Sequence, residues 1–192
     1  MRIPTQILGE LPHGKAYRNG TARGTLGFRN GLLDALDGDG DNIMERQPYL
    51  YETNIQWSEK RRGKLIVEGL PDLLTSTPPE FKGEAGFWTP EHLFVAAAEA
   101  CLMATFLGIA ENSRLTVAGY RSSATGKLEW SGNGWRFTEI AIHPVVELEN
   151  TGDEGLARRV MAKAATNCLI ANSILAAIRV APNFEGKGSL AA

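Results

Sequence analysis

The chain has 192 residues, a formal net charge of −2 and an isoelectric point of about 6.0. This balance excludes the basic footprint of a nucleic-acid-binding domain, and 43% apolar with 22% charged residues is typical of a soluble globular protein. The length favours one domain, or one domain with an appendage. The N-terminus lacks the apolar core of a signal peptide, and we expect no apolar run as long as the roughly 18 to 20 residues of a membrane-spanning helix. We therefore expect a cytoplasmic protein with neither a nucleic-acid partner nor a membrane partner.

Residues 1–50 differ in composition from the rest of the chain. They are rich in Gly, Asn, Asp and Arg and contain two turn clusters, RNGTARG and DALDGDGDN. We interpret residues 1–50 as an irregular N-terminal extension that can hold a hairpin and a short helix, and residues 51–192 as the folded domain. The run DGDGDNIMERQP resembles a calcium-binding loop, but Asn42 replaces the required glycine and Pro48 the bidentate glutamate, which indicates a polar turn.

From residue 51 the pattern predicts paired strands and two long helices. Thr89 is a suitable N-cap for the first helix, and Pro90 suits its first position. Strands grouped in pairs, with the helices separate from them, favour an α+β fold. The predicted elements in chain order are a hairpin over 51–70, a loop over 71–88, a helix to Asn112, strands over 115–130 and 135–149 joined by the turn SGNG, and a helix over about 153–179.

Both cysteines, Cys101 and Cys168, fall on the predicted helices among small residues. Small neighbours three and four positions away let two helices pack closely, and a disulfide needs Cα atoms roughly 4.4–6.8 Å apart. The sequence permits such a pair, but it equally permits two buried thiols that act as small apolar residues. In a cytosolic setting, a redox-active or buried thiol is favoured over a persistent structural disulfide.

Metal and nucleotide chemistry find no support in the sequence. The histidines, His13, His92 and His143, are scattered and no pair has the spacing of metal ligands. No C-x-x-C, P-loop, G-x-G-x-x-G or G-x-S-x-G motif occurs. We therefore expect neither a cofactor nor a metal.

The stretch GFWTPEHLFVAAAEACL resembles the OsmC/Ohr family of osmotically inducible and organic hydroperoxide resistance proteins. That family carries a Pro-Glu-x-Leu element with a cysteine ten residues after the glutamate, and a second cysteine on a second helix, between a Lys-Ala pair and a serine. The matching residues here are Pro90, Glu91, Leu93 and Cys101 in the first element, and Lys163, Ala164, Cys168 and Ser173 in the second. The resemblance covers about residues 51–182, and His92 departs from the commoner Glu or Gln.

The resemblance implies an OsmC-like α+β fold, with antiparallel sheets wrapped around two central helices in an intertwined homodimer. It also implies a thiol-dependent peroxidase in which Cys101 becomes a sulfenic acid that Cys168 resolves. The family's arginine corresponds to Arg61 or Arg62 in SEKRRGKL, with Arg61 preferred. A guanidinium beside a thiol favours the thiolate, and Glu91 would orient that arginine.

The spacing between Glu91 and Cys101 constrains this interpretation. In one straight helix, ten residues span about 15 Å, too far for both side chains to reach one substrate atom. Either the helix breaks after PEHLF, or a second chain supplies the partner groups. Four apolar side chains near the motif are candidates for a substrate pocket or for the core: Phe87, Trp88, Phe94 and Met103.

The implied substrates are organic hydroperoxides, with hydrogen peroxide as a further candidate. The implied reductant is a dithiol, either a lipoylated protein or a small thiol. A different class of function stays open, in which the chain forms a non-catalytic dimer of the same fold that binds a small apolar ligand and uses its cysteines structurally.

Overall fold

A computed structural model of the protein describes residues 48–188. The predictions for the N-terminal extension and for its calcium-loop-like turn therefore fall outside the described residues, except at their last positions. Within the described part the protein has two sheets and two long helices, which confirms the predicted α+β class.

The first sheet has three antiparallel strands in the order β1, β2, β3: Asn54–Glu59, Arg62–Ile66 and Leu73–Ser76. The predicted hairpin is confirmed, and Lys60 makes its tight turn with a φ of 48°. The prediction of an unbroken loop over 71–88 is wrong, because β3 pairs with β2 and a 3-10 turn follows at Pro79–Phe81. Every residue of β1 is exposed in the single chain.

Helix α1, Pro90–Asn112, begins and ends where the sequence predicts. The Thr89 hydroxyl accepts a hydrogen bond from the His92 amide at 3.2 Å, which caps one of the free N–H groups of the first turn. The helix continues through Cys101 without a break. The expected break after PEHLF is therefore wrong, and about 15 Å of helix separates Glu91 from Cys101.

The expectation that no helix is long and apolar enough to cross a membrane is also wrong for α1. By length and composition this helix could do so, although 33% of its most apolar 18-residue window is buried within the chain. Leu102, Phe106 and Ile109 form its buried side. Met103 and Leu107, on another side, are each 38% exposed, so α1 presents apolar surface that a single chain leaves uncovered.

The second sheet is built on two long antiparallel strands, β4 at Val117–Trp130 and β5 at Trp135–Leu148, as predicted. The two strands that complete it, β6 at Ala177–Val180 and β7 at Asn183–Gly186, both run parallel to β5. The prediction of purely antiparallel sheets is therefore wrong at this edge. The pairing passes from β6 to β7 at Pro144, which has no N–H to offer a ladder.

The second predicted helix is shorter than expected. Helix α2 spans Glu154–Asn167, Cys168 takes an extended conformation with a ψ of 115°, and a short helix α3 spans Leu169–Asn172. The prediction of one helix to residue 179 is wrong because the final segment gains strand pairing with β5 instead. The side-chain amide of Asn172 donates to the Thr166 backbone carbonyl at 3.0 Å, which satisfies a carbonyl at the break.

The core lies between α1, α2 and one face of the second sheet. Alternate residues of β5 point inward, as the period of two requires, and α2 contributes mostly small or flexible side chains. The buried residues include Leu102 and Phe106 of α1, Ile140, Ile142 and Val146 of β5, and Ala157, Val160, Met161 and Ala164 of α2.

Candidate active site

The two cysteines come together at the contact between α1 and the α2–α3 junction. Cys101 is half-buried on α1 and Cys168 is buried at the junction, and both are free thiols. The Cys101 thiol is close enough to the Cys168 thiol to raise its pKa. Ala98, three residues before Cys101, and Ala164, four residues before Cys168, are also buried, and their small side chains leave room for this approach.

Cys168 is held as a neutral thiol. Burial raises the pKa of Cys168 to about 11, against the opposing effect of the Ala171 backbone amide, and the neighbouring Cys101 thiol raises it further. A buried group avoids the desolvation cost of a charge by keeping its proton. At neutral pH the buried member of the pair is therefore protonated, and the half-buried member is the one that solvent reaches.

Glu91 lies in the first turn of α1, far along the helix from the thiols. Its Oε2 atom is buried and has no hydrogen-bond partner among the described residues. An unpaired carboxylate oxygen is costly to bury. The structure therefore places Glu91 outside the thiol pair of its own chain and leaves one of its oxygens without a donor from the described part of that chain.

The two candidate arginines are anchored at the β1–β2 turn. Arg61 is exposed and its Nη1 donates to the Phe81 carbonyl at 2.5 Å. Arg62 is half-buried, with Nε 2.5 Å from Glu84 and Nη2 3.0 Å from Glu59. Neither guanidinium forms an ion pair with Glu91 within residues 48–188. Two carboxylates already engage Arg62, so Arg61 is the freer of the two.

The four predicted pocket residues do not share one pocket. Trp88 is 48% exposed and lines the cavity described below. Phe87 lies under the Arg62 guanidinium, 5.3 Å from its ring centre. Phe94 stacks on Phe137 with ring centres 4.9 Å apart, while Met103 lies on the exposed side of α1.

A cavity of about 790 Å³ lies between the first half of α1, the 3-10 turn and the far ends of β4 and β5. Its volume is within the ~300–1,000 Å³ of ligand pockets. It contains neither thiol, since Glu99 and Cys101 are two positions apart on the helix and point to different faces. Its lining includes Pro78, Phe81, Trp88, Glu91, His92, Val95, Glu99, Gly126, Trp135 and Phe137.

Sequence reasoning missed Glu99, Trp135 and Phe137 as lining residues. Glu99 was detectable, because Glu91, Val95 and Glu99 recur at four-residue spacing and must share a helix face. The two aromatic residues were not, because only the pairing of β5 with β4 and its packing on α1 brings them beside that face.

The described residues hold no cluster of three or more His, Cys, Asp or Glu side chains arranged for a metal ion. The ring of His92 is engaged locally, with Nδ1 3.0 Å from the Thr89 hydroxyl. The arrangement therefore offers thiol and carboxylate chemistry in two separate places on α1.

Comparison with known proteins gives a consistent result. A model of the OsmC family, described as OsmC-like protein, matches residues 83–183, and no curated protein matches. Among solved structures, an OsmC-like protein of unknown function from Vibrio cholerae is 25% identical, with a TM-score of 0.63 over 69% of this chain and 99% of that one.

Two further structures are similar in fold. An organic hydroperoxide resistance protein OsmC from Legionella pneumophila is 24% identical with a TM-score of 0.57, over 72% of this chain and 99% of that one. An organic hydroperoxide resistance protein from Elizabethkingia anophelis is 17% identical, also with a TM-score of 0.57, over 73% of this chain and 100% of that one.

Proposed function

Because the chain belongs to the OsmC family, we propose that it is a thiol-dependent peroxidase that reduces organic hydroperoxides, and hydrogen peroxide as a second substrate, in defence against oxidative stress. The observation that carries this proposal is the pair of free thiols, one half-buried and one buried, that are neighbours where α1 packs on a helix break. Two structurally similar proteins are named organic hydroperoxide resistance proteins, which supports organic hydroperoxides as the substrate class.

Cys101 is the residue that attacks the peroxide. Its thiolate sulfur forms a bond to the terminal oxygen of the hydroperoxide, the O–O bond breaks, and the other oxygen leaves with its organic group as an alcohol after taking a proton. The product on the protein is a sulfenic acid. Cys101 suits this role because it is the more accessible thiol of the pair.

Cys168 resolves the sulfenic acid. Its sulfur attacks the Cys101 sulfur, its proton leaves with the hydroxyl group as water, and a disulfide forms. A buried, protonated thiol is itself protected from peroxide, because the thiolate is the nucleophile. Its proximity to Cys101 lets the disulfide form before a second peroxide oxidises the sulfenic acid further.

A dithiol then reopens the disulfide by exchange, so each cycle reduces one peroxide and oxidises one dithiol. A lipoylated protein or a small thiol would serve, since Cys101 is the sulfur within reach of solvent. Such a cycle requires a compartment that supplies reductant, and the cytoplasm is the one we propose.

We further propose that the active unit is a homodimer in which Glu91 of one subunit meets Arg61 of the other subunit, beside that other subunit's thiols. Three features support it: α1 is unbroken between Glu91 and Cys101, Glu91 Oε2 lacks a donor, and β1 exposes Ile55 and Trp57 at 68% and 72%. A guanidinium from a second chain would satisfy Glu91 and stabilise the Cys101 thiolate.

A second candidate function is supported by the cavity. Its apolar and aromatic walls lie apart from the cysteines of the same chain, which fits a non-catalytic dimer that binds a small apolar ligand. In that case the thiols would be core residues and peroxide would oxidise them slowly and without turnover.

The test is peroxide consumption together with thiol chemistry. Reduced wild type should consume cumene hydroperoxide catalytically with dithiothreitol, and one equivalent of peroxide without reductant should yield a Cys101–Cys168 disulfide by mass spectrometry. Cys101→Ser should lower the rate by about a thousandfold or more, as expected when a nucleophile is removed. The matched variant Cys168→Ser should form a sulfenic acid but no intramolecular disulfide. Equal peroxide consumption by wild type and Cys101→Ser would exclude the enzyme.

A further inference from the structure

The break between α2 and α3 depends on a single torsion angle of Cys168. Its φ of −66° is that of a helix, whereas its ψ is 115° instead of the roughly −42° of a helix. Rotation about this one bond would join α2 and α3 into the continuous helix that the sequence predicts. The ψ of Cys168 therefore decides how α3 lies relative to α2 and to the sulfur between them.

The side chain of Asn172 bridges the break. Its Nδ2 donates to the Thr166 carbonyl at 3.0 Å, and its backbone amide donates to the Cys168 carbonyl, also at 3.0 Å. In a continuous helix, residues 166 and 172 would be about 9 Å apart along the axis, and the Thr166 carbonyl would accept from the Ile170 amide instead. The bond from Asn172 to Thr166 is compatible only with the break, so it stabilises the broken conformation.

The broken conformation places Cys168 favourably for attack on Cys101. Both α2 and α3 contact α1, so the sulfur between them is held against the helix that carries Cys101. Burial raises the pKa of the Cys168 thiol, and the backbone amides of Ala171 and Ile170 oppose that effect. These amides belong to α3, so their position relative to the sulfur depends on the ψ of Cys168. Because the thiolate is the attacking form in disulfide formation, amides that favour it assist the attack.

We propose that Asn172 is a positioning residue for the resolving step, since its bond to Thr166 across the break holds Cys168 in the conformation that attacks the Cys101 sulfenic acid. The inference rests on the proposed function. In this step the two sulfurs form a bond, the S–O bond of the sulfenic acid breaks, and the hydroxyl group leaves as water with the proton of Cys168. A loosened break slows this step, so a second peroxide has more time to oxidise Cys101 to the sulfinic acid.

The test separates the two oxidation steps in Asn172→Ala. One equivalent of cumene hydroperoxide is added to the reduced protein, and peroxide loss and disulfide formation are followed separately by assay and by mass spectrometry. Peroxide loss should be unchanged, whereas disulfide formation should slow by about threefold to tenfold, as expected for one hydrogen bond. During turnover with dithiothreitol, the sulfinic acid formed per cycle should rise by about the same factor, because the two fates of the sulfenic acid compete.

The matched control is Asn167→Ala. Its Nδ2 also donates to a backbone carbonyl, that of Lys163 at 2.8 Å, but this bond lies within α2 and does not cross the break. This variant should form the disulfide at the wild-type rate. A second variant, Asn172→Asp, keeps the shape of the side chain and loses only the donor, and it should slow disulfide formation at least as much as Asn172→Ala.

The outcomes separate the inference from the function on which it rests. Disulfide formation at the wild-type rate in Asn172→Ala or Asn172→Asp, or equal slowing in Asn167→Ala, overturns the role of Asn172 and leaves the peroxidase intact. A parallel loss of peroxide consumption in Asn172→Ala also overturns it, because the residue would then act on the whole site. A wild type that consumes no peroxide or forms no Cys101–Cys168 disulfide removes the proposed function, and the inference with it.

Discussion

Cys101 and Glu91 lie on the same continuous helix, yet the described part of the chain provides a neighbouring functional group only for Cys101. Cys101 meets Cys168 within one chain, across a close contact between helices. Glu91 has a buried oxygen that no described residue of its chain satisfies, and it lines an open cavity. The thiol side of α1 is thus complete in a single chain, whereas the carboxylate side is not. In the proposed dimer, one helix therefore contributes a thiol to the site of its own subunit and a carboxylate to the site of the other subunit.

The strongest test of this comparison is to mix two variants, one impaired and one inactive. Glu91→Gln alone should lose about a hundredfold in kcat/KM through mispositioning of the arginine, and Cys101→Ser should be inactive. Refolded together in equal amounts, they should recover about a quarter of wild-type activity, because half of the dimers are mixed and each mixed dimer holds one intact site. Peroxide consumption after co-refolding measures this.

Recovery no greater than the residual activity of Glu91→Gln would mean that Glu91 acts within its own chain. Light scattering on the same samples provides the control. A stable 20.8 kDa monomer with full activity would contradict the shared site altogether.

The carboxylate side also depends on a close approach at Gly126. A Cβ added there would lie 2.5 Å from Val95 Cγ2 and 2.7 Å from Phe137 Cε1, and all three residues line the cavity. Gly126→Ala should therefore lower the free energy of unfolding by about 1–3 kcal/mol through overpacking. Urea denaturation measures the change.

The matched control is Gly108→Ala on α1, where an added Cβ meets nothing within 4 Å in the chain. This variant should be neutral or more stable by up to about 1 kcal/mol, because alanine favours the helix. A Gly126→Ala protein as stable as wild type would show that α1 and β4 can separate there at little cost.

The smallest expected effect concerns the thiol side and pH. The pKa of Cys168 rises from 9.0 to about 11 on folding, so the folded state keeps a proton that the unfolded state loses between these values. The corresponding stability is present below pH 9 and is lost as pH rises towards 11. Between pH 8 and pH 10, reduced wild type should lose about 1 kcal/mol more than Cys168→Ala. Urea denaturation of both proteins with reductant at the two pH values measures the difference, and parallel curves would show that Cys168 ionises freely in the fold.

The local elements were largely predictable from the sequence. Thr89 and Pro90 mark the start of α1, the SGNG turn joins β4 to β5, and the alternating pattern predicts the first hairpin. These signals are local, because capping, turn geometry and side-chain alternation depend on residues a few positions apart. The elements that failed depended on distant pairing: β3 on β2, and β6 on β5 in place of the end of a helix.

In the candidate site, too, local features were predictable and the contacts between distant residues were not. The sequence by itself determined the candidates for the chemistry, namely two cysteines in small-residue settings, a glutamate in the first turn of a helix and an arginine pair in a turn. Only the tertiary structure decided how they are grouped. It placed Cys168 at a break between helices with its thiol beside Cys101, and it kept α1 straight so that Glu91 lies about 15 Å away. The reason is that residue type and local spacing fix chemistry and element type, whereas distances between elements follow from packing of the whole core.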